Sequence, residues 1–134
     1  RDPILKFVGP ESPIRMSKTG VSDTLGISIR PTQDVFPLTA EDVTFILRNN
    51  SNNELTCGEH CEIAFLDSEG VWRKLPRNEM FNDIGYEVRP YGSRTVIGKL
   101  SPKAFPTPAT RYRFFHPIIH NGKNITLMAE YEMR

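Results

Sequence analysis

Residues 111–133 read RYRFFHPIIHNGKNITLMAEYEM, and the pivot of that stretch is Asn121-Gly122. Asn-Gly best accommodates the two positive φ values of a type I′ turn, whose twist matches that of paired antiparallel strands. The flanks alternate with period two. Tyr112 and Phe114 share one face of the first run while Arg111 and Arg113 take the other, and Tyr131 and Met133 oppose Glu130 and Glu132 in the second. This pattern predicts a long β-hairpin. Pro117 lacks an N–H and cannot join a ladder interior, so it is expected at a bulge or on a strand edge.

The same period recurs upstream. In LGISIR, Leu25, Ile27 and Ile29 are expected on one face, and DVTFILRN repeats the device with Val43, Phe45 and Leu47. CEIAFL groups Cys61, Ile63 and Phe65; the turn DSEG at 67–70 then joins it to VWRKLP as a second hairpin. Residues 86–89 and 95–100 make two shorter strands separated by Pro90-Tyr91-Gly92-Ser93. No segment of helical length carries an unbroken i, i+3, i+4 stripe. PRNEMFND at 76–83 reads either as a helical turn or as a crossing between sheets. About seven or eight short strands with antiparallel neighbours predict an all-β sandwich or small barrel.

Size and composition agree with one domain. A chain of 134 residues buries roughly two-thirds of its unfolded surface, and 38% hydrophobic with 25% charged residues is ordinary for a globule. Seventeen Lys and Arg against sixteen Asp and Glu leave a net charge of +1, which argues against a nucleic-acid partner. No run of about eighteen apolar residues predicts a transmembrane segment. Residues 1–20 begin RDPILKFVGPESP and read as a proline-rich segment or linker ahead of a domain at 21–134. That start fits a mature or trimmed chain whose upstream targeting segment has been removed.

NNS at 49–51, Gly58-Glu59, EGVWRKLP at 69–76, Pro90-Tyr91-Gly92-Ser93 and Tyr112-Arg113-Phe114 follow one another in an order that resembles bacterial immunoglobulin-like domains of secreted or lipid-anchored envelope proteins. The resemblance covers residues 21–134. It implies an immunoglobulin-like antiparallel β-sandwich and a non-catalytic structural or binding role. It also implies export to the periplasm or cell surface, with lipid anchoring through a removed N-terminal segment. The implied partner is another envelope protein or a surface glycan, and the implied state a monomer or weak oligomer. Two residues support it physically. Tyr112 lies two before Phe114, the spacing of a tyrosine corner with phenylalanine where an antibody domain has its second cysteine. Trp72, just past a tight turn, is expected to cap one end of the core. Both cysteines lie between the second and third strands, so no inter-sheet disulfide is expected.

The chemistry-bearing residues are few. CGEHC at 57–61 holds both cysteines. In a straight strand Cys57 and Cys61 would lie roughly 13 Å apart, so a disulfide needs a turn at Gly58. Alternation places Cys61 in the core and makes Cys57 a loop thiol; the staple stays open as an alternative. Zinc ligation by Cys57, Cys61, His60, His116 and His120 is disfavoured by the Cys-x3-Cys spacing. The basic and aromatic interleaving of RYRFFH reads as core against surface, and Glu130 with Glu132 as a solvated face and not a hydrolytic pair. Nucleophile motifs and a phosphate loop are absent. The sequons Asn49-Asn50-Ser51 and Asn124-Ile125-Thr126 read as turn and strand residues.

No catalytic residue, metal ligand or cofactor is therefore assigned, and the chain is read as a non-enzyme. Ligand-binding residues cannot be named from the sequence. In the loop PTQDVFPLTAED at 31–42, Val35, Phe36 and Leu38 either plug one end of the sandwich or form a contact patch. The alternative function is a carbohydrate-binding module with Trp72, Tyr86 and Tyr91 as an aromatic platform.

Overall fold

A computed structural model describes residues 13–77, 81 and 84–134. Its strand segments are β1 (Asp23–Thr24), β2 (Ile27–Pro31), β3 (Val35–Phe36), β4 (Asp42–Asn49), β5 (Leu55–Cys57), β6 (Glu62–Leu66), β7 (Trp72–Lys74), β8 (Tyr86–Val88), β9 (Ser93–Lys99), β10 (Thr110–His120) and β11 (Lys123–Met133). One sheet has the order β1-β2-β4-β9. The other runs β3-β11-β10-β5-β8, with β6 also on β10 and β7 on β6. The architecture is the expected all-β, immunoglobulin-like sandwich. The eleven segments among the described residues exceed the seven or eight expected because some strands are interrupted or short.

The hairpin that opened the sequence reading forms as predicted. β10 and β11 pair antiparallel from Thr110↔Met133 to His120↔Lys123, closed by Asn121 and Gly122 at φ 53° and 75°. β6 and β7 form the second hairpin, where the Asp67 carboxylate accepts the N–H of Glu69 and Val71 and the Nε of Arg73. The β2 reading needs one correction. Ile27 and Ile29 are buried, but Leu25 is exposed at φ 53° in the turn between β1 and β2. Apolar alternation ran one residue past the strand because Leu25-Gly26 carries no Asn or Asp to mark the turn. The PRNEMFND reading falls mainly outside the described residues, of which only Pro76, Arg77 and Phe81 are described.

Alternation puts Ile27, Ile29, Val43, Phe45 and Leu47 of one sheet against Ile63, Tyr112, Phe114, Leu127 and Met133 of the other, all fully buried. At the centre, the Phe45 and Phe114 rings stack across the sheets with centroids 4.0 Å apart and planes 16° apart. Tyr131 packs edge-on to Phe45 at 5.5 Å and stacks on Tyr112 at 5.3 Å. The Tyr112 hydroxyl donates to the Pro108 carbonyl at 2.6 Å, so the tyrosine corner forms. Close approach of β9 to this column depends on Gly98, where an added Cβ would stand 2.8 Å from Phe114 Cε1 and 3.0 Å from Val43 Cγ2.

Residues 13–21 dress the outer face of the larger sheet. Lys74 N–H donates to Ile14 O at 2.8 Å and Met16 N–H to Trp72 O at 2.9 Å, along the free edge of β7. Lys18 then pairs with Glu62 at 2.6 Å, and Val21 bonds the edge of β11 through Thr126 O and Met128 N. Phe115, on the outward row of β10, is only 2% exposed. The loop at 31–42 splits in outcome. Phe36, in β3 beside β11, is buried against Tyr131, whereas Val35 is half-buried and Leu38 is exposed.

Gly98→Ala tests the central packing. The new methyl must displace Phe114 from its stack, an overpacking cost of about 1–3 kcal/mol expected as a lowered urea midpoint with an unchanged m-value.

Candidate functional site

CGEHC is neither a knuckle nor a staple. Residues 58–61 form an excursion that splits one strand into β5 and β6, and both halves pair with β10. Opposite that excursion β10 has only His116 and Pro117. Proline lacks the N–H that an unbroken ladder would have used, so the gap leaves no donor orphaned there. Pro117 thus sits beside a bulge, as expected. The His116 ring Nδ1 lies 3.0 Å from the His60 carbonyl and fastens the excursion to β10.

Cys57 is a correction: it ends β5 and is buried in the core, because the strand extends up to the excursion and not past it. Neither cysteine is in a disulfide, and both are buried. Burial pushes the Cys57 thiol up, partly offset by the nearby Arg94 charge, which makes it a poor nucleophile. Cys61 is engaged by Arg77, whose Nη2 donates to the Cys61 carbonyl at 2.7 Å and lies 3.2 Å from its Sγ. Arg77 Nη1 also donates to Lys99 O at 3.0 Å, so this buried guanidinium joins the excursion of one sheet to β9 of the other.

The three histidines do not converge. His116 and His120 occupy the inner row of β10 four residues apart, roughly 13 Å along a strand. The His60 ring instead packs against Phe81, centroids 4.7 Å apart. Among the described residues no three His, Cys, Asp or Glu side chains gather where they could hold a metal ion. His120 Nε2 meets Ser51 Oγ at 3.0 Å, which invites comparison with a catalytic dyad. The Ser51 hydroxyl, however, donates to Asn49 Oδ1 at 2.6 Å, leaving the imidazole no serine proton to accept. Asn49 is wholly buried and its Nδ2 donates to Asn53 O and Val88 O at 2.8 and 3.0 Å. Asn49, Ser51 and His120 form a polar plug tying the end of β4 to β8, and the first sequon is occupied by structure.

The remaining candidates serve the surface. Glu130 accepts from Arg111 at 3.0 Å and Arg113 at 2.9 Å. Burial alone would raise its carboxyl, but the two guanidinium hydrogen bonds outweigh it and hold the group below the usual range. Glu132 faces Arg134 at 3.6 Å. Trp72 does not cap the core; it lies on the outer face with the Arg113 guanidinium 4.0 Å over its ring. Tyr86 is covered by Arg94 at 3.5 Å, and Tyr91 stands exposed in its turn, bonded to Asn52. One ring face of Trp72 and one of Tyr86 are therefore occupied, and they lie in different strands.

A concavity of about 460 Å³ opens between β9 and the 58–61 excursion. Arg77, Arg94 and Lys99 line it with Glu59, Phe81 and Leu100. Sequence reasoning gave Arg77 and Arg94 no role and read Asn49 only as a turn residue of NNS. Arg94, two before the buried Val96, could have been read as an inward-facing charge on a strand.

With this geometry in view, similarity to known proteins can be stated. Residues 23–132 match the bacterial Ig-like domain family, and the chain belongs to it. The periplasmic chaperone SfaE aligns with a TM-score of 0.50 and 13% identity, over 81% of this chain and 58% of that one. Pseudomonas fluorescens alkylpurine DNA glycosylase AlkC aligns with a TM-score of 0.43 and 14% identity, over 86% of this chain and 32% of its own. PapD-like domain 7 of human CEP192 gives 0.40 and 13%, over 100% of this chain and 97% of its own. The chain thus spans less than two-thirds of the first two, and these likenesses concern fold alone. No curated protein matches the chain by sequence.

The buried histidine makes stability depend on pH. Burial holds His116 down to about 4 from 6.5, with Arg94 adding to the effect and the His60 carbonyl opposing it. The unfolded chain therefore binds the proton first. The stabilisation is complete above pH 6.5 and is lost as pH falls toward 4, by about 3 kcal/mol in all. Urea unfolding between pH 7.5 and 4 is expected to show this loss, and His116→Leu to flatten most of it.

Proposed function

We propose that the chain is a non-catalytic interaction module of a bacterial cell-envelope protein, exported to the periplasm or cell surface. Membership of the bacterial Ig-like family supports an interaction role. Among the described residues no helix is long and apolar enough to cross a membrane. The observation that carries the reading is the fate of the polar groups. Asn49, Arg77, His116 and His120 are buried as structural ties, while the open side between β9 and β8 leaves strand edge and charge accessible. Residues 21–134 are taken as the sandwich unit and 1–20 as the segment before it, of which 13–20 lie along β7 and the outer face.

A glycan platform would need two free, coplanar rings. Arg113 on Trp72 and Arg94 on Tyr86 each cover one ring face, and the two rings lie in different strands, so no observation favours that alternative.

The immobilised chain is expected to retain an envelope protein from extract, competed by soluble folded chain and lost after thermal unfolding. Glycan-array binding that disappears on Trp72→Ala, or retention unaffected by unfolding, would overturn the reading.

A further inference from the structure

The topology guards three of its edges and leaves one side open. β11 is flanked by Val21 and β3, β7 by residues 14–16, and β2 by β1. β9 has only β4 as a neighbour among the described residues, and β8 ends the other sheet across the cleft. The register identifies the unused groups. Asn49 N–H donates to Gly92 O at 2.9 Å and Leu100 N–H to Glu41 O at 2.8 Å. Antiparallel pairs alternate between exchanging hydrogen bonds and not, so the even-numbered residues from 92 to 100 bond β4. Ser93, Thr95 and Ile97 therefore turn their N–H and C=O away from β4. The Lys99 carbonyl, next in that series, is already taken by Arg77.

Among the described residues, the charge lining the cleft beside this edge is mostly positive. Arg94 belongs to the inward row of β9, and it lies over Tyr86 without a carboxylate partner among the described residues. Among the described residues Lys99 pairs with Asp42, at 3.8 Å on exposed surface. Among the described residues, Arg77, Arg94 and Lys99 line the cleft with one carboxylate, that of Glu59, which accepts from Tyr86. Ile97, on the outward row, is 47% exposed.

We infer that the β9 edge takes an extended acidic segment of a partner protein as an added strand, pairing with the backbone of Ser93, Thr95 and Ile97 and placing one carboxylate against Arg94. The inference rests on the interaction-module reading above. Side chains of an added strand alternate, so a carboxylate facing Arg94 puts the residue two positions away opposite Val96, which also lines the cleft and suits an apolar side chain. A second copy of this chain is the poorer occupant. Antiparallel β9–β9 pairing would bring two Arg94 and two Lys99 side chains into one cleft with no added acid. An inward-pointing charge also wards off unselective pairing at an edge. A segment without a carboxylate would desolvate Arg94 uncompensated, so the same residue excludes wrong strands and selects acidic ones.

The test uses the full chain and fluorescein-labelled octapeptides of alternating threonine and valine, with one valine replaced by glutamate, by lysine, or by glutamate with alternate backbone amides methylated. Saturable anisotropy is expected for the glutamate peptide, with affinity at least about tenfold weaker for the other two. Binding should slow hydrogen exchange at the Ser93, Thr95 and Ile97 amides. Thr95→Pro should abolish binding and leave the urea midpoint nearly unchanged, because the lost N–H made no bond to β4. Should that variant unfold, the methylated-peptide comparison decides alone. Absence of binding, equal affinity for the lysine peptide, binding retained by folded Thr95→Pro, or protection of other amides would overturn the inference. An envelope protein still retained by Thr95→Pro would sink the edge assignment while the interaction role stands.

Discussion

The face-to-face stack of Phe45 on Phe114 is the contact on which the rest of the fold depends. It joins the two sheets where an antibody domain places its covalent bridge, and the two thiols here are spent elsewhere. An aromatic pair is weaker than a disulfide, contributing about 0.5–1.5 kcal/mol beyond the area it buries. The sandwich must therefore be closed by packing all round the pair. Tyr131 and Tyr112 extend the column, Gly98 brings β9 close enough to enclose it, and the tyrosine corner fixes the entry of β10. Around the pair the interior is filled by close-packed apolar and aromatic side chains.

Below the aromatic column the core turns polar. His116 Nε2, His120 Nδ1 and Tyr131 Oη are buried with no hydrogen-bond partner among the described residues, an arrangement that costs about 1–3 kcal/mol for each unsatisfied group. Their other contacts explain why they are tolerated: His116 holds the 58–61 excursion, and His120 completes the plug with Ser51 and Asn49. Arg77 does the same work at the side, bridging a bulge in one sheet to the edge strand of the other. Bulge and bridge together hold the cleft mouth open beside β9.

Much of the fold could be read because the signals were local. The Asn121-Gly122 turn and the alternating rows of β4, β10 and β11 each announce themselves within a few residues. Leu25 was misplaced because its turn lacks that chemistry. Trp72 was misplaced although the answer was present: it lies three residues from Leu75, so the two fall on opposite faces, and Leu75 is buried. Cys57 needed information that is not local. Whether it ends a strand or starts a loop depends on how far β5 follows β10, which depends in turn on the missing N–H of Pro117, sixty residues away in the chain. The candidate site was least legible of all. Arg77, Arg94 and Asn49 acquire their roles only when β8, β9 and the excursion meet, and single charged or amide residues carry no periodic mark.

A double-mutant cycle on Phe45→Leu and Phe114→Leu, followed by urea unfolding, tests the inter-sheet stack most directly. The predicted result is a coupling energy of about 1 kcal/mol between the two positions. Additive losses, agreeing within a few tenths of a kcal/mol, would contradict it and shift the burden of closure to the surrounding aliphatic rows.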